Sequence, residues 1–516
     1  MSLLPFLVIT AGGAVASLLL RYRAGLRGPV DALSLAAGTL AAVAIVPGQT
    51  LDLGGTTLGT TDYGRLFLVL GSLVGLVLWL VGLAAGSRRD AGAVTLAILA
   101  TSGLALALDD PRPAFLVASA GGACGALLTI TPHGGRAVAL VGIPVLRATV
   151  IAGVAAIVAA AWIGSATGGL EAGPVPAGLA YLAVALAVAI RFGVIPFHRW
   201  AAPLTDVVPE STLPQVTAWA PAAFGIVALA WTEVTVAPIA LDLAAIRVVV
   251  LAVAIGSILL GSLAAWIQDD LEHMVGYAIV ADAGIVLLSL AAVDAAAAGP
   301  GRVWLLAFVV ARSAFAAWAA AARTTWFTGR LADLRGWAVR SPMLTVAFIA
   351  LVVASVGIPG TAAFDARSAL VRLSMDGPLE TVMAVGVLAP IAFYARLLAV
   401  GLSRAESGRA GRPEWRPSLT AVDLTDVRAW LGRTWAADRA FSASVGAIAV
   451  AVLAVAISAG AFGLPGAAAN GLPAREVPTA SPDVATPSFE PVPTRRGDAS
   501  PGQSAGASTQ RSISRS

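Results

Sequence analysis

Apolar residues run along this chain in blocks of about twenty, parted by short polar stretches, and no strand-like alternation replaces them. A block of ~20 apolar residues is one helix across a bilayer. The pattern predicts spans near 3–20, 29–48, 64–86, 92–108, 114–131, 143–164, 177–198, 215–236, 240–267, 272–293, 301–322, 343–364, 379–402 and 442–463. That is an all-α polytopic membrane protein of about fourteen transmembrane helices. The first block precedes Arg21, Arg23 and Arg27, the reverse of a cleavable leader, so a retained first helix is expected. Residues 404–440 read as a polar cytoplasmic loop, with Asp423 to Leu431 as a candidate surface helix. Residues 464–516, rich in Pro, Ser, Ala, Thr and Gly, read as a disordered tail.

Alternate loops carry the arginines: Arg21, Arg23 and Arg27; Arg88 and Arg89; Arg136; Arg199; Arg323, Arg330, Arg335 and Arg340; and Arg404 to Arg439. The intervening loops hold Asp52, Asp62, Asp109, Asp110, Glu171 and Glu233. The first set is expected in the cytoplasm, which puts both termini outside a bacterial-type inner (plasma) membrane.

Composition agrees: 58% hydrophobic, 12% charged, mean hydropathy +0.86. The net charge of +4 resembles a nucleic-acid signal, but the arginines follow the topology, so no nucleic-acid partner is expected. Cys124 is the single cysteine and the histidines at 133, 198 and 273 are scattered, so neither a metal nor a haem cage is expected. There is no lysine, hence no phosphate loop ending in one, and no cofactor is expected.

The candidate chemistry is a set of charges inside the predicted spans, where ions are costly and functional by default. Arg191 closes an apolar run five residues ahead of Pro196, which deprives the Phe192 carbonyl of its amide. Glu272 and His273 open the span that holds Asp282 near its middle. Arg312 lies inside 301–322. Asp365 and Arg367 follow Gly357-Ile358-Pro359-Gly360, where a discontinuous helix is expected. Each has a plainer alternative. Arg191 snorkels to the boundary that His198 marks; Glu272 and His273 are interfacial; Asp282 and Arg312 form a structural ion pair; Asp365 and Arg367 are loop residues.

Arg191 to Trp200 resembles the Lys-x-x-x-x-Pro-Phe-His-x-Trp signature of the antiporter-like subunits of respiratory complex I, chain N or M type, a family shared with Mrp antiporter and membrane hydrogenase subunits. Pro203 to Thr217 looks like its Pro-rich loop, and Gln268 to Ala278 like its Gln-x-Asp-x-Lys-Arg-x-x-Ala-Tyr-Ser. Ser341-Pro342, Val356 to Phe364 and Tyr394-Ala395-Arg396 match further motifs, so the resemblance covers roughly residues 90 to 400. It implies two inverted five-helix repeats, 91–237 and 238–403, after N-terminal helices in 1–90 and before a last helix in 441–463. It also implies helix breaks at Pro196, Pro221 and Pro359 and a hydrated charged axis at mid-membrane.

The sequence departs from the family where protons are handled. The acid expected on span 5 is missing from Phe115 to Gly121, and the lysine expected on span 8 is Ala222. Arg191, Arg312 and Arg367 stand at the basic positions of spans 7, 11 and 12. A buried lysine can lose its proton; a guanidinium effectively cannot. The resemblance implies a non-redox subunit coupled to quinone reduction elsewhere in an assembly of membrane subunits, moving protons or Na+. With Arg191, Arg312 and Arg367 as fixed charges and no carrier but His198 in spans 5 to 8, impaired conduction is expected of the subunit. Its titratable residues are Glu272, His273, Asp282, Asp365 and His198. Its rivals are a non-conducting structural subunit, or a subunit of an Mrp-type antiporter, hydrogenase or ion-coupled uptake complex.

Overall fold

Backbone amides in lipid have no water to bond, so apolar runs close their hydrogen bonds within helices. A computed structural model of the protein describes residues 2–53, 56–86, 91–130, 136–163, 174–237, 244–404 and 439–471. The chain divides into two units, Met1–Pro473 and Ala474–Ser516, and the described residues all belong to the first. The predicted surface helix at Asp423 to Leu431, and the tail beyond residue 471, lie outside the described residues. Among the described residues, nine helices are long and apolar enough to cross a membrane.

The chain opens with α1 (Leu4–Leu19) and α2 (Ala24–Val43), followed by β1 (Thr50–Leu53) and β2 (Thr56–Gly59). These strands pair antiparallel with Thr50 opposite Gly59, a small correction to the all-helical expectation. The stretch is too short for a span, and its Thr and Leu residues suit a pleated ribbon. Helix α3 (Asp62–Ala84) is started by Thr61, whose hydroxyl accepts from the Gly64 amide at 3.0 Å. Then come α4 (Ala91–Ala107), α5 (Pro111–Ile130), α6 (Arg136–Ile163) and α7 (Pro174–Phe192).

Helix α7 stops where the sequence turns to Gly193, which adopts φ +64. The loose groups find partners: Trp200 Nε1 donates to the Ile190 carbonyl at 3.0 Å. The Ile195 amide donates to Ser257 Oγ at 3.1 Å. At Pro221, by contrast, the expected break does not occur. A π turn, Gln215–Trp219, leads straight into α8 (Ala220–Trp231), and a second, Thr232–Val236, leaves it. The wide turn lets the Ala220 amide reach back to the Gln215 carbonyl. Pro221 then stands at the start of the α-helical segment, where a missing N–H matters least.

Helices α9 (Ala244–Ile267) and α10 (Leu271–Ala291) press backbone to backbone. A Cβ at Gly261 would lie 2.8 Å from the Ala281 nitrogen, and one at Gly284 2.7 Å from the Ala254 carbonyl oxygen. Helix α11 (Ala298–Trp326) is the central rod, with every residue from Gly301 to Ala322 buried. The block predicted as 343–364 is two helices, α12 (Pro342–Val356) and α13 (Ala362–Ser374), parted by Gly357 at φ +72 and Gly360 at φ +90. The next is also two, α14 (Pro378–Gly386) and α15 (Ile391–Leu402). Helix α16 (Arg439–Ser458) packs on α3, α11 and α12. Residues from 464, read from composition as unstructured, begin with a helix, α17 (Leu464–Ala469), whose Leu464 and Ala468 are buried against the rest. Composition alone missed that these small residues have α11 and α3 to pack on.

Candidate functional site

Helix α11 carries Arg302, Arg312 and Arg323, ten and eleven residues apart. At about 1.5 Å per residue they mark two ends and a middle over about 30 Å, the thickness of a bilayer's hydrocarbon core. Arg302 and Arg312 are buried and Arg323 is exposed. A buried guanidinium is tolerated only with partners, and each of the three has an acid from another element.

At the middle, Arg312 Nη2 lies 2.9 Å from Asp282 Oδ2 of α10 and donates to the Tyr394 hydroxyl of α15, also at 2.9 Å. Both members of the pair are buried, Arg312 at 0% and Asp282 at 2% exposure. Trp304 Nε1 donates to the Asp282 carbonyl at 3.3 Å. Arg367 of α13 brings a second cation, and Asp282 feels the charge of both. Its guanidinium donates to the carbonyl of Val356, the last residue of α12, and to that of Val387 just past α14 at 3.4 Å. Helix C-termini are where a cation is favoured, so Arg367 joins the loose ends of both interrupted helices. The rings of Trp304 and Phe364 each lie 5.7 Å from it.

At one end of α11, Arg323 bonds Glu210 Oε1 at 2.8 Å and pairs with Glu272. His273 Nε2 lies 3.3 Å from Asp206 and Nδ1 lies 3.9 Å from Asp270. His198 packs 6.2 Å from the Tyr277 ring, with Nδ1 unpartnered. At the other end, Arg302 pairs with Glu233 on the second π turn and donates to the Ala468 carbonyl of α17 at 3.0 Å. The Tyr63 hydroxyl of α3 donates to the Arg302 carbonyl at 2.7 Å. A charge-assisted hydrogen bond contributes about 1.5–3 kcal/mol. Replacing Arg302 with Gln is therefore expected to raise the rate of proteinase K cleavage between Gly460 and Gly471 about tenfold or more, read by mass spectrometry of the fragments.

The structure brings together Asp282, Arg312 and Arg367, and separately Glu272 and His273. Asp365 stands apart, exposed on the first turn of α13. Arg191 is buried at 1% exposure. It faces Gly122 of α5, where a Cβ would lie 2.8 Å from Cζ. Arg302, Arg323, Glu210, Glu233 and Tyr394 were not singled out as site residues. The near-regular spacing of arginines along one predicted span was the signal for the first two. No group of three or more His, Cys, Asp or Glu suited to a metal ion occurs among the described residues.

Residues 150–391 match a family model described as NADH:quinone oxidoreductase/Mrp antiporter, TM. Subunit N of the NADH-quinone oxidoreductase of Rhodococcus opacus (strain B4) is 31% identical over 229 residues, 43% of this chain and 41% of its own length. Its counterpart in Halorhodospira halophila (strain DSM 244 / SL1) is 26% identical over 223 residues, 41% of this chain and 44% of its own. The matched segment makes up a little under half of the chain.

The chain spans less than half the length of these curated relatives. Among solved structures, a chain of the Mrp complex from Dietzia sp. DQ12-45-1b gives a TM-score of 0.67 at 20% identity, over 91% of this chain and 98% of that one. A chain of respiratory complex I from Thermus thermophilus gives 0.63 at 17%, over 90% and 100%. At these identities the likeness speaks for the fold. The segment that matches the family model contains Arg191, Asp282, Arg312 and Arg367, and Tyr394 lies just past its end.

Proposed function

We propose that the chain is a membrane subunit of a complex I-type NADH-quinone oxidoreductase and that its second half moves protons while quinone is reduced elsewhere in the assembly. The observation that carries this reading is the buried Asp282–Arg312 pair, completed by Tyr394 and flanked by Arg367 at two helix breaks. Asp282 is the group there that can take up and release a proton; the guanidinium groups stay charged and hold its carboxylate in place. Tyr394 offers Arg312 a second partner when Asp282 is neutral. Glu272, with Glu210 across Arg323, is the entry from the cytoplasmic side. Glu272 and Asp282 are ten residues apart on one helix, about 15 Å, so water has to bridge them.

In this reading the matched segment is part of two inverted five-helix repeats, 91–237 and 238–403, within about fourteen spans whose termini lie outside the inner membrane. Its partners are other membrane subunits and lipid, and its cargo is the proton, with Na+ the alternative. The test is the reconstituted assembly in liposomes. Asp282→Asn is expected to lower protons moved per electron while quinone reduction continues.

A second reading, a non-conducting subunit, rests on α7 and α8. There Arg191 meets no acid among the described residues, and Ala222 is buried where the family resemblance expects lysine. It requires an unchanged ratio in Asp282→Asn, a result that would overturn the first reading. Genes encoded beside this one separate an oxidoreductase from an Mrp-type, hydrogenase or uptake assembly.

A further inference from the structure

Among the described residues four arginines are buried: Arg191, Arg302, Arg312 and Arg367, at 0% to 2% exposure. Arg302 and Arg312 each touch a carboxylate. Arg367 lies within the field of Asp282 and bonds two carbonyls at helix ends. Arg191 has none of these. Its Nε and Nη2 are buried without a hydrogen-bond partner, and among the described residues it makes no ion pair. Its own helix end does not help: the Ile190 carbonyl accepts from the Gly193 amide and from Trp200 Nε1, and the Ala189 carbonyl accepts from the Val194 amide.

A guanidinium keeps its proton at any ordinary pH. Isolated in a low-dielectric interior it carries a large desolvation penalty, which water relieves through hydrogen bonds but not through charge. At 1% exposure Arg191 is sealed from lipid headgroups and from the side chains of any neighbouring subunit. What reaches it must be small. It must also carry a single negative charge, since a second would leave an unpaired anion in its place. One side of the guanidinium packs directly on the α5 backbone at Gly122, where an added Cβ would overlap Nη2, so an anion has to approach from another side.

We propose that Arg191, against the Gly122 face of α5, binds a small monovalent inorganic anion of the halide class that balances its charge where no carboxylate of the described residues does. The site is independent of conduction through Asp282, because it lies between α5 and α7 and uses none of the second-half charges.

The test uses the full chain in lipid nanodiscs, with bromide and chloride as probes and gluconate as the bulky control. Above the dissociation constant, each tenfold rise in bromide or chloride is expected to raise the folded-to-unfolded ratio about tenfold. Gluconate is expected not to do so. Arg191→Gln and Gly122→Ala are expected to lose the anion response. Crystals of the unaltered chain grown in bromide are expected to show an anomalous peak beside the Arg191 guanidinium, a readout that does not require either variant to fold. The proposal is overturned by an equal response to bromide, chloride and gluconate, or by a response that survives in Arg191→Gln. A bromide map with no peak at Arg191, or with water alone there, overturns it too.

Discussion

Asp282→Ala is expected to destabilise the chain by about 3–5 kcal/mol, the usual cost of removing one partner from a buried ion pair. The loss is at the high end because two cations remain. Arg312 would keep the Tyr394 hydroxyl, which cannot balance a charge, and Arg367 would lose the Asp282 carboxylate whose field it shares. The matching double variant, Asp282→Ala with Arg312→Met, is expected to recover most of the loss. An apolar chain of similar length removes the unpaired charge, and replacing a buried pair by apolar groups is often close to neutral. Denaturant titration of the four members of this cycle in one detergent gives the coupling directly. A double variant no more stable than the single one would mean that the pair is not what holds α10 against α11.

At the α9–α10 seam, Gly284→Ala is expected to cost about 1–3 kcal/mol, the usual range for overpacking, and Gly284→Val more. A Cβ at 284 would stand 2.7 Å from the Ala254 carbonyl oxygen and 2.9 Å from the Ile258 nitrogen. Both are backbone atoms of the facing helix and cannot turn aside as a side chain would. The helices must separate, and with them the seat of Asp282, two positions away on the same helix. Gly256 on α9 supplies the control, because nothing lies within 4 Å of a Cβ placed there. Gly256→Ala is expected to stabilise by about 0.5–1 kcal/mol through the lower entropy of the unfolded chain. Melting curves of the two variants side by side check both signs.

The helices were legible because lipid leaves an apolar run little other choice. The breaks at Gly193–Pro196 and Gly357–Gly360 were legible because proline removes a donor and glycine takes a positive φ, and both effects are local. Pro221 misled for the same reason: a proline inside an apolar run announces a missing hydrogen bond, but not that a π turn just before it will absorb the defect. The Asp282–Arg312 pair could be posed as an alternative, since both stand mid-span on consecutive predicted helices. The terminal pairs could not. Glu272, Glu233 and Glu210 are 51, 69 and 113 residues from their arginines. In one dimension such residues look like ordinary loop and boundary charges. Nothing in the local pattern of Leu464–Ala469 showed that it packs beside α11, because small residues read alike in a close contact and in a loose tail.

Three salt links at three depths turn α11 into a fixed strut. A helix tethered at one level can slip by a turn and find new company. One pinned top, middle and bottom to separate neighbours must part all three tethers together. If the chain moves protons as proposed, the accompanying motions are expected in the interrupted pieces around it, α12 to α15, and not in this post.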